Sequence, residues 1–336
     1  MKNIWFLDSE FSLIVSFQIS DAYVYTMNIL FADTAHPFLE QALTNAGHTC
    51  VYEEKLDRKL ALEIMHQFDG VVIRSRFRFD KEMLDATNNL KFIARVGAGM
   101  ENIDQEYAES LGIACLNAPE GNCNAVAEQA LGMLLALFNN LMRADREVRE
   151  GIWKREENRG LELTGKTIAI IGYGHTGSTF AKRLRGFDVK ILVVDPYKSG
   201  YGNEYIQEST MEEVFEHADI VSLHVPLNDE TRYMVNTDFL NRFRKSIYVL
   251  NTSRGKCLKT ADLVDALERG KVLGAALDVM EFETLSFEQL DEIPAPLKAL
   301  IESDKTILTP HIAGWTHESN LKMAQILVKK IEALRV

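Results

Sequence analysis

From residue 27 onward, short apolar runs alternate with longer stretches in which apolar residues recur at helical spacing. The short runs predict β-strands over residues 29–32, 49–52, 71–73, 92–96 and 113–116. The longer stretches predict helices over residues 37–46, 58–67, 81–87 and 105–111. Strands that alternate with helices in this order predict a parallel sheet with helices on both faces.

A second series of the same kind follows the first. It opens with a long, mostly apolar helix over residues 125–140 and a charged stretch, residues 143–159, that predicts a helix surface and a linker. Further strands are predicted over residues 167–171, 189–194, 220–225, 247–251, 274–279 and 306–309, and helices over residues 178–184, 211–217, 237–242 and 261–269. The region of Pro294 and Pro296 predicts a surface loop or a short helix. The predicted fold class is therefore α/β, with two doubly wound parallel-sheet domains.

The segment GYGHTG, residues 172–177, lies between a predicted strand and a predicted helix. Gly172 permits a tight turn, Gly174 lets the backbone approach a pyrophosphate, and Gly177 lets the helix pack closely on the strand. The next predicted strand leads into Asp195, whose carboxylate would accept hydrogen bonds from ribose hydroxyls and repel a 2′-phosphate. This order of strand, turn, helix, strand and carboxylate predicts a dinucleotide site that favours NAD over NADP.

Three further predicted strands end in polar residues, within segments 251–255, 278–283 and 310–314. In doubly wound sheets ligands collect at the carboxyl ends of the strands, so an arginine, a carboxylate and a histidine in these segments can meet in one cleft. Hydride transfer from a secondary alcohol needs these residue types. A histidine exchanges the alcohol proton, a carboxylate orients the histidine, and an arginine fixes a substrate carboxylate. The trio therefore predicts chemistry on a 2-hydroxy acid.

Composition changes the picture mainly by what it excludes. The chain has 336 residues, enough for two domains, and its formal net charge of −12 argues against nucleic acid as a partner. No apolar run is long enough for a transmembrane helix, so no membrane partner is expected. The four cysteines have no metal-ligand spacing, which predicts reduced, structural thiols and no metal site. Residues 1–26 lack the features of a secretion signal and predict an N-terminal extension with little structure of its own.

Eight segments carry a resemblance to a known family: VIRSR (72–76), RVGAGMENID (95–104), NAPEGN (117–122), GYGHTG (172–177), HVPL (224–227), LNTSRG (250–255), AALDV (275–279) and TPHIAG (309–314). Residues 27–336 thereby resemble the D-isomer-specific 2-hydroxyacid dehydrogenases, and among them the short D-3-phosphoglycerate dehydrogenases without a regulatory domain. The resemblance implies a cytoplasmic, NAD-dependent enzyme that oxidises 3-phosphoglycerate to 3-phosphohydroxypyruvate in serine biosynthesis. Reduction of glyoxylate, hydroxypyruvate or another 2-keto acid stays open, and the turn at residues 313–316 is also similar to the erythronate-4-phosphate dehydrogenases.

The resemblance also implies a role for each candidate site residue. Arg254 would bind the substrate carboxylate, and His311, supported by Glu283, would act as acid and base. Glu281 competes with Glu283, because a long insertion follows Glu283 where the family often has a proline. The implied cofactor residues are Gly172, Tyr173, Gly174, His175, Thr176, Gly177, Asp195, His224, Val225, Pro226, Thr252, Ser253, Asp278 and Gly314. The implied substrate residues are Arg74, Ser75, Arg76, Gly97 and Gly99.

The family further implies a discontinuous arrangement of domains. Residues 27–122 and 311–336 would form a flavodoxin-like substrate domain, into which a Rossmann NAD-binding domain, residues 123–310, is inserted. A homodimer would form through the NAD-binding domain, with residues 125–153 near the interface. A function of another class also stays open: an NADH-sensing binding protein, similar to the corepressors of the same superfamily, would keep the same trio.

Overall fold

The computed structural model describes residues 26–53, 56–283 and 293–334. Its strands are β1 (Asn28–Phe31), β2 (Thr49–Tyr52), β3 (Gly70–Ile73), β4 (Phe92–Arg95), β5 (Ala114–Leu116), β6 (Thr167–Ile171), β7 (Lys190–Val194), β8 (Ile206–Glu208), β9 (Ile220–Leu223), β10 (Ile247–Asn251), β11 (Val272–Leu277) and β12 (Thr306–Leu308). Its helices are α1 (Pro37–Asn45), α2 (Arg58–Ile64), α3 (Lys81–Asp85), α4 (Gln105–Ser110), α5 (Pro119–Phe138), α6 (Leu141–Arg149), α7 (His175–Arg183), α8 (Met211–His217), α9 (Thr237–Arg242), α10 (Thr260–Glu268), α11 (Ala295–Glu302) and α12 (His317–Glu332). The prediction for residues 1–26 lies outside the described residues, apart from residue 26.

Strands β1 to β5 form a sheet in the order β2-β1-β3-β4-β5, in which every pairing is parallel. This is the flavodoxin-like order. Three helices between these strands begin at acidic caps, since the side chains of Asp57, Asp80 and Asp104 each accept a backbone N–H of the first turn. The predicted doubly wound sheet is confirmed for this half of the chain, and the predicted strands agree with the structure to within one residue at each end.

Strands β6 to β12 form a seven-stranded parallel sheet in the order β12-β11-β10-β9-β6-β7-β8. The strand order reverses between β6 and β9, and a doubly wound sheet binds its ligand at such a switch point. The bounds of β6, β10, α8 and α9 are those that the sequence predicts. The second predicted sheet, of Rossmann type, is therefore also confirmed.

Two helices join the sheets. Near its start, α5 crosses α12 so closely that a Cβ atom on Gly121 would lie 2.7 Å from the backbone nitrogen of Met323. Further along, α5 buries Met133, Leu134 and Phe138 in the core of the seven-stranded sheet. α12 packs against α1 and buries its apolar face in the core of the five-stranded sheet. The chain thus returns to its first sheet after the second, while the residue boundaries of the two domains stay a prediction.

Several elements differ from the predictions. α5 begins at Pro119 and not at residue 125, because proline suits the first turn of a helix and the polar residues that follow it hide the helix from a search for apolar periodicity. α7 begins at His175, directly on the glycine turn. β9 ends at Leu223, two residues early, and β11 is shifted toward the N-terminus by two residues. The short edge strand β8 and the helix α12 were not predicted, whereas the region of Pro294, predicted as a surface loop or a short helix, leads into the helix α11.

Within the described ranges, no single helix is long and apolar enough to cross a membrane. α5 and α6 pass that test of length and composition only as a pair, which is bent by 62°. In the same part of the chain, no group of three or more His, Cys, Asp or Glu side chains is arranged to hold a metal ion. The cysteines are free thiols: Cys50, Cys115, Cys123 and Cys257.

Candidate active site

The carboxyl ends of both sheets face one cleft, which encloses about 950 Å³. The five-stranded sheet lines it with residues that follow β3 and β4, and the seven-stranded sheet with residues that follow β6, β9, β10, β11 and β12. The predicted site residues that line the cleft are Arg74, Ser75, Gly97, Gly99, Gly174, His175, Thr176, His224, Val225, Pro226, Thr252, Ser253, Arg254, Asp278, His311 and Gly314. The predicted residues that do not line it are Arg76, Gly172, Tyr173, Gly177, Asp195 and Glu283.

The glycine turn is compact because the backbone passes too close to Gly172 and Gly177 to leave room for a side chain. Gly172 has a φ of 94°, and a Cβ atom there would lie 2.5 Å from the carbonyl oxygen of His224. A Cβ atom on Gly177 would lie 2.1 Å from the carbonyl oxygen of Gly172. At Gly174, by contrast, no protein atom lies within 4 Å of such a Cβ. The open space above Gly174, at the first turn of α7, matches the close backbone approach that a pyrophosphate cradle requires.

Asp195 follows β7 and braces this turn. Its Oδ2 accepts the backbone N–H of Tyr173 at 2.8 Å, and its Oδ1 accepts the N–H of Tyr197 at 3.0 Å. A carboxylate oxygen has two acceptor positions, so each oxygen of Asp195 can accept one further hydrogen bond. Asp195 is therefore equipped to bind hydroxyl groups while it holds the turn in place.

Three buried polar atoms in the described part of the chain have no hydrogen-bond partner: Asn122 Oδ1, His224 Nδ1 and Thr252 Oγ1. All three residues line the cleft. Each buried polar atom without a hydrogen-bond partner destabilises the fold by roughly 1–3 kcal/mol. Three such atoms in residues that line one cleft therefore favour a polar ligand that binds there. Burial lowers the pKa of His224 to about 3, and its ring is neutral at physiological pH. Together with the cradle at Gly174, these atoms fit a bound dinucleotide.

His311 and Glu283, the predicted acid–base pair, are in direct contact. His311 Nδ1 lies 2.8 Å from Glu283 Oε2, and the other carboxylate oxygen of Glu283 accepts the backbone N–H of Met280. The competing candidate, Glu281, faces away, because its Oε2 accepts the backbone N–H of Thr260 at 2.8 Å. His311 also has a φ of 54°, a left-handed conformation that is costly for a non-glycine residue and persists where surrounding contacts impose it.

Those contacts come largely from Asp278. Its Oδ1 accepts the hydroxyl of Thr309 at 2.5 Å and the N–H of Ile312 at 2.9 Å, and its Oδ2 accepts the N–H of Ala313 at 2.8 Å. Burial raises the pKa of Asp278 more than these hydrogen bonds lower it. Asp278, one of the implied cofactor residues, therefore has a structural task as well, since it holds the turn that carries His311.

Arg254 lies across the cleft from the five-stranded sheet and pairs with Glu101. The distance between Arg254 Nε and Glu101 Oε1 is 2.6 Å, and Arg254 Nη1 donates to the carbonyl oxygen of Ser253 at 2.7 Å. The side chains are 19% and 28% exposed, so the pair is only partly shielded from water. Asn251 Nδ2 donates to the carbonyl oxygen of Arg254 at 3.0 Å and fixes the loop.

Two more arginines line the same cleft. The Arg74 guanidinium lies 3.9 Å from the ring centre of Trp315, and Arg95 Nε donates to the carbonyl oxygen of Arg74 at 3.2 Å. Burial, helped by the positive charge of Arg254, lowers the pKa of Arg95 to about 10, so Arg95 stays charged at neutral pH. The substrate side of the cleft therefore carries a net positive charge, although Glu101 pairs with one of its three arginines.

Arg76, predicted to lie on the substrate side, does not line the cleft. Its Nε lies 3.2 Å from Asp33 Oδ1, and its Nη1 donates to the carbonyl oxygen of Leu56 at 3.4 Å. Asp33 Oδ2 meanwhile accepts the backbone N–H groups of Arg74, Ser75 and Arg76. The Asp33 carboxylate, which was not among the predicted site residues, holds the Arg76 side chain away from the cleft.

The cleft residues that were not among the predicted site residues include Arg95, Glu101, Asn122 and Trp315. Arg95 and Glu101 belong to the segment RVGAGMENID, in which the glycines alone were singled out. Asn122 closes the segment NAPEGN, and Trp315 follows TPHIAG directly. The charged and polar residues of these segments could therefore have indicated Arg95, Glu101 and Asn122 as further site residues.

Comparison with known proteins identifies the family. The profile of the D-isomer specific 2-hydroxyacid dehydrogenase NAD binding domain matches residues 131–313. A hydroxypyruvate reductase of Thermotoga maritima is 36% identical over 293 residues, which cover 87% of this chain and 92% of that protein. A D-3-phosphoglycerate dehydrogenase of Archaeoglobus fulgidus is 33% identical over 302 residues, 88% of this chain but 56% of that protein. The structure of D-lactate dehydrogenase from Aquifex aeolicus complexed with NAD and lactic acid has a TM-score of 0.79 at 28% identity, covering 91% of this chain and 95% of that one.

The fold and the cleft define an oxidoreductase of the doubly wound α/β class that uses a dinucleotide. The chain belongs to the D-isomer specific 2-hydroxyacid dehydrogenases, and its cofactor is NAD. The relatives are named as enzymes, which supports turnover over the alternative of an NADH-sensing binding protein. Their names differ in substrate, so the family fixes the class of reaction and not the particular 2-hydroxy acid.

Proposed function

We propose that the enzyme oxidises 3-phosphoglycerate to 3-phosphohydroxypyruvate. The observation that carries this proposal is the presence of Arg74, Arg95 and Arg254 in one cleft. A guanidinium group presents a planar fork of donors that matches both carboxylate and phosphate. Arg254 would hold the carboxylate of the 2-hydroxy acid, and Arg74 with Arg95 would hold the phosphate on its third carbon.

The acid–base step belongs to His311. Because Glu283 binds Nδ1, the substrate hydroxyl would transfer its proton to Nε2, and the nearby carboxylate would stabilise the imidazolium that results. Arg254 would keep the substrate carboxylate fixed and so orient C2 and its hydroxyl toward His311. NAD, when bound, supplies the acceptor for the hydrogen that leaves C2 as hydride. Reduction of the keto acid uses the same groups in reverse.

A comparison of substrates tests the proposal. We expect NADH-dependent reduction of 3-phosphohydroxypyruvate to exceed that of hydroxypyruvate by at least about a hundredfold in kcat/KM, since two charge-assisted contacts, each worth roughly 1.5–3 kcal/mol, together contribute about 3 kcal/mol or more. Arg95→Gln should raise KM for the phosphorylated substrate by about tenfold and leave KM for hydroxypyruvate within about twofold. Arg76→Gln is the matched control outside the cleft and should change neither value. Equal losses for both substrates in Arg95→Gln would contradict a phosphate site.

A second candidate is the reduction of hydroxypyruvate or glyoxylate. It is favoured by the pairing of Arg254 with Glu101, which lowers the net positive charge that a doubly anionic substrate would meet. The hydroxypyruvate reductase of Thermotoga maritima also matches this chain over 92% of its length. Hydroxypyruvate turnover at least as efficient as that of the phosphorylated compound, together with an Arg95→Gln variant of normal activity, would decide for this candidate.

The proposed reaction gives the enzyme a place in serine biosynthesis, in the cytoplasm. Deletion of the gene should then create a requirement for serine, which the wild-type gene restores and a His311→Gln gene does not. Normal growth of the deletion strain on medium without serine would favour the second candidate.

We also propose that two copies associate through α6 and the residues around it. Four large apolar side chains are strongly exposed there: Leu141 at 53%, Met142 at 61%, Val148 at 53% and Trp153 at 78%. Several large apolar side chains exposed within one short stretch of the chain suggest a protein interface. The double variant Met142→Glu, Trp153→Glu should sediment as a monomer, whereas the control Leu111→Glu should keep the wild-type mass. A monomeric wild-type protein would overturn the proposal.

A further inference from the structure

The ion pair between Glu101 and Arg254 joins the two walls of the cleft. Glu101 lies in the loop after β4 of the five-stranded sheet, and Arg254 lies in the loop after β10 of the seven-stranded sheet. Two contacts connect them: Nε to Oε1 at 2.6 Å and Nη2 to Oε2 at 3.4 Å. A carboxylate of the protein therefore already occupies one edge of the guanidinium group that is proposed to bind a carboxylate of the substrate.

The hydrogen-bonding capacity of Arg254 indicates what this arrangement leaves for a ligand. A guanidinium group has five N–H groups. Glu101 takes the one on Nε and one on Nη2, and the carbonyl oxygen of Ser253 takes one on Nη1. Two N–H groups remain, one on Nη1 and one on Nη2, and two such donors can hold a second carboxylate. Glu101 thus restricts the orientation of Arg254 without exhausting its donors.

Gly99 shows how closely the pair is packed. A Cβ atom on Gly99 would lie 1.9 Å from Arg254 Nη2 and 2.2 Å from Glu101 Oε2. Any side chain at this position would have to displace both charged groups. Partial burial would raise the pKa of Glu101, but the charge and hydrogen bonds of Arg254 outweigh that effect and lower it, so the carboxylate is ionised when a keto acid binds.

We propose that Glu101 is a positioning residue that holds the Arg254 guanidinium so that its remaining N–H groups face the substrate carboxylate. The proposal rests on the proposed role of Arg254. A contrasting role would be that of an internal competitor, in which Glu101 occupies the carboxylate position and the substrate must displace it. The two roles predict opposite changes when the charge of Glu101 is removed, because a mispositioned arginine weakens substrate binding whereas the loss of a competitor strengthens it.

Glu101→Gln provides the test, with the full-length protein, NADH and hydroxypyruvate. We expect KM for hydroxypyruvate and the inhibition constant of oxamate, a carboxylate analogue, to rise together by about tenfold, with kcat within about threefold, since the lost interaction binds ground state and transition state alike. Glu101→Asp, which keeps the charge on a shorter side chain, should recover part of the loss. Glu106→Gln is a matched control in the neighbouring helix α4 and should leave all three quantities unchanged.

The double variant Glu101→Gln, Arg254→Lys separates action through Arg254 from a general defect. Once Arg254 is replaced, Glu101→Gln should weaken oxamate binding by less than about twofold, because neighbours that act through one group are not additive. NADH affinity and the unfolding midpoint should be the same in Glu101→Gln and in the wild type. An unchanged or lower inhibition constant in the single variant would overturn the positioning role. If Arg254→Lys itself leaves oxamate binding unchanged, the proposed function of Arg254 fails instead.

Discussion

The glycine turn of the seven-stranded sheet meets the cleft with backbone and small residues, whereas the end of β4 and the loop after it, in the five-stranded sheet, meet the cleft with long charged side chains. On the first wall, Gly172, Gly174 and Gly177 shape a turn in which two positions have no room for a Cβ atom and the third opens onto the cleft. On the second wall, Arg95 and the Glu101 carboxylate define the surface. The first wall is suited to a cofactor whose position must be fixed, and the second to recognition of an anionic substrate.

This difference determines how each wall is encoded. A backbone turn depends on residues close together in the chain, so a short motif predicts it. A charged side chain can take several orientations, and its partner can lie far away in the sequence, as Arg254 and Glu101 do. The structure therefore adds most to the sequence-based prediction for contacts between charged side chains that are far apart in the sequence.

The largest effect is expected where the two walls meet, at His311. His311→Gln should lower kcat for reduction of a 2-keto acid by about a thousandfold, because it removes the group that exchanges the proton. NADH affinity, measured by isothermal titration calorimetry, should stay within about twofold of the wild-type value. A loss in kcat of less than about tenfold would mean that another group carries the proton.

His224 tests how far the cofactor wall is shielded from water. In the folded protein burial lowers the pKa of His224 to about 3, so the ring stays neutral at any pH above that value. In the unfolded chain the ring has its ordinary pKa near 6.5 and takes up a proton below that pH. Stability should therefore fall as the pH drops below 6.5. Between pH 7.5 and pH 5 the wild type should lose about 2 kcal/mol more unfolding free energy than His224→Gln, as measured by urea denaturation. Equal losses in both proteins would show that the ring is accessible to protons.

Gly174 separates cofactor binding from stability on the same wall. Because a Cβ atom at Gly174 meets no protein atom, Gly174→Ala should fold with an unchanged unfolding midpoint. NADH affinity should nevertheless fall by about tenfold, or about 1.4 kcal/mol, because the methyl group occupies the pyrophosphate cradle. Gly186→Ala is the matched control, since Gly186 is equally open and does not line the cleft. Unchanged NADH affinity in Gly174→Ala would contradict the assignment of the cradle.

The sequence was sufficient for both sheets because their strands are short apolar runs bounded by polar caps and turns. It failed where an element has no such pattern. The start of α5 at Pro119 is polar, and β8 has three residues at the edge of a sheet, two of them exposed. α12, by contrast, does have an apolar face at helical spacing, with Met323, Leu327 and Ile331 buried, so the sequence contained the signal for this helix although it was not predicted.

The candidate site follows the same division. His311, Glu283 and Arg254 follow or lie near the ends of neighbouring strands, so the general rule for doubly wound sheets was enough to bring them together. The position of Arg76 could not be predicted, since it depends on the Asp33 carboxylate after β1. Nor could the pairing of Glu101 with Arg254, because nothing in the local sequence of either residue specifies a partner across the cleft.

Glu283 and Glu281 offer the most direct test of the proposed acid–base pair, because they are two residues apart and differ in what they contact. Glu283 binds His311 Nδ1, whereas Glu281 accepts the backbone N–H of Thr260. The measurement is kcat for keto-acid reduction in Glu283→Gln and Glu281→Gln, at saturating NADH and substrate. We predict a loss of about a hundredfold in Glu283→Gln and a change of less than about threefold in Glu281→Gln. Similar values of kcat in the two variants, or a larger loss in Glu281→Gln, would contradict the pairing of Glu283 with His311 as the source of catalysis.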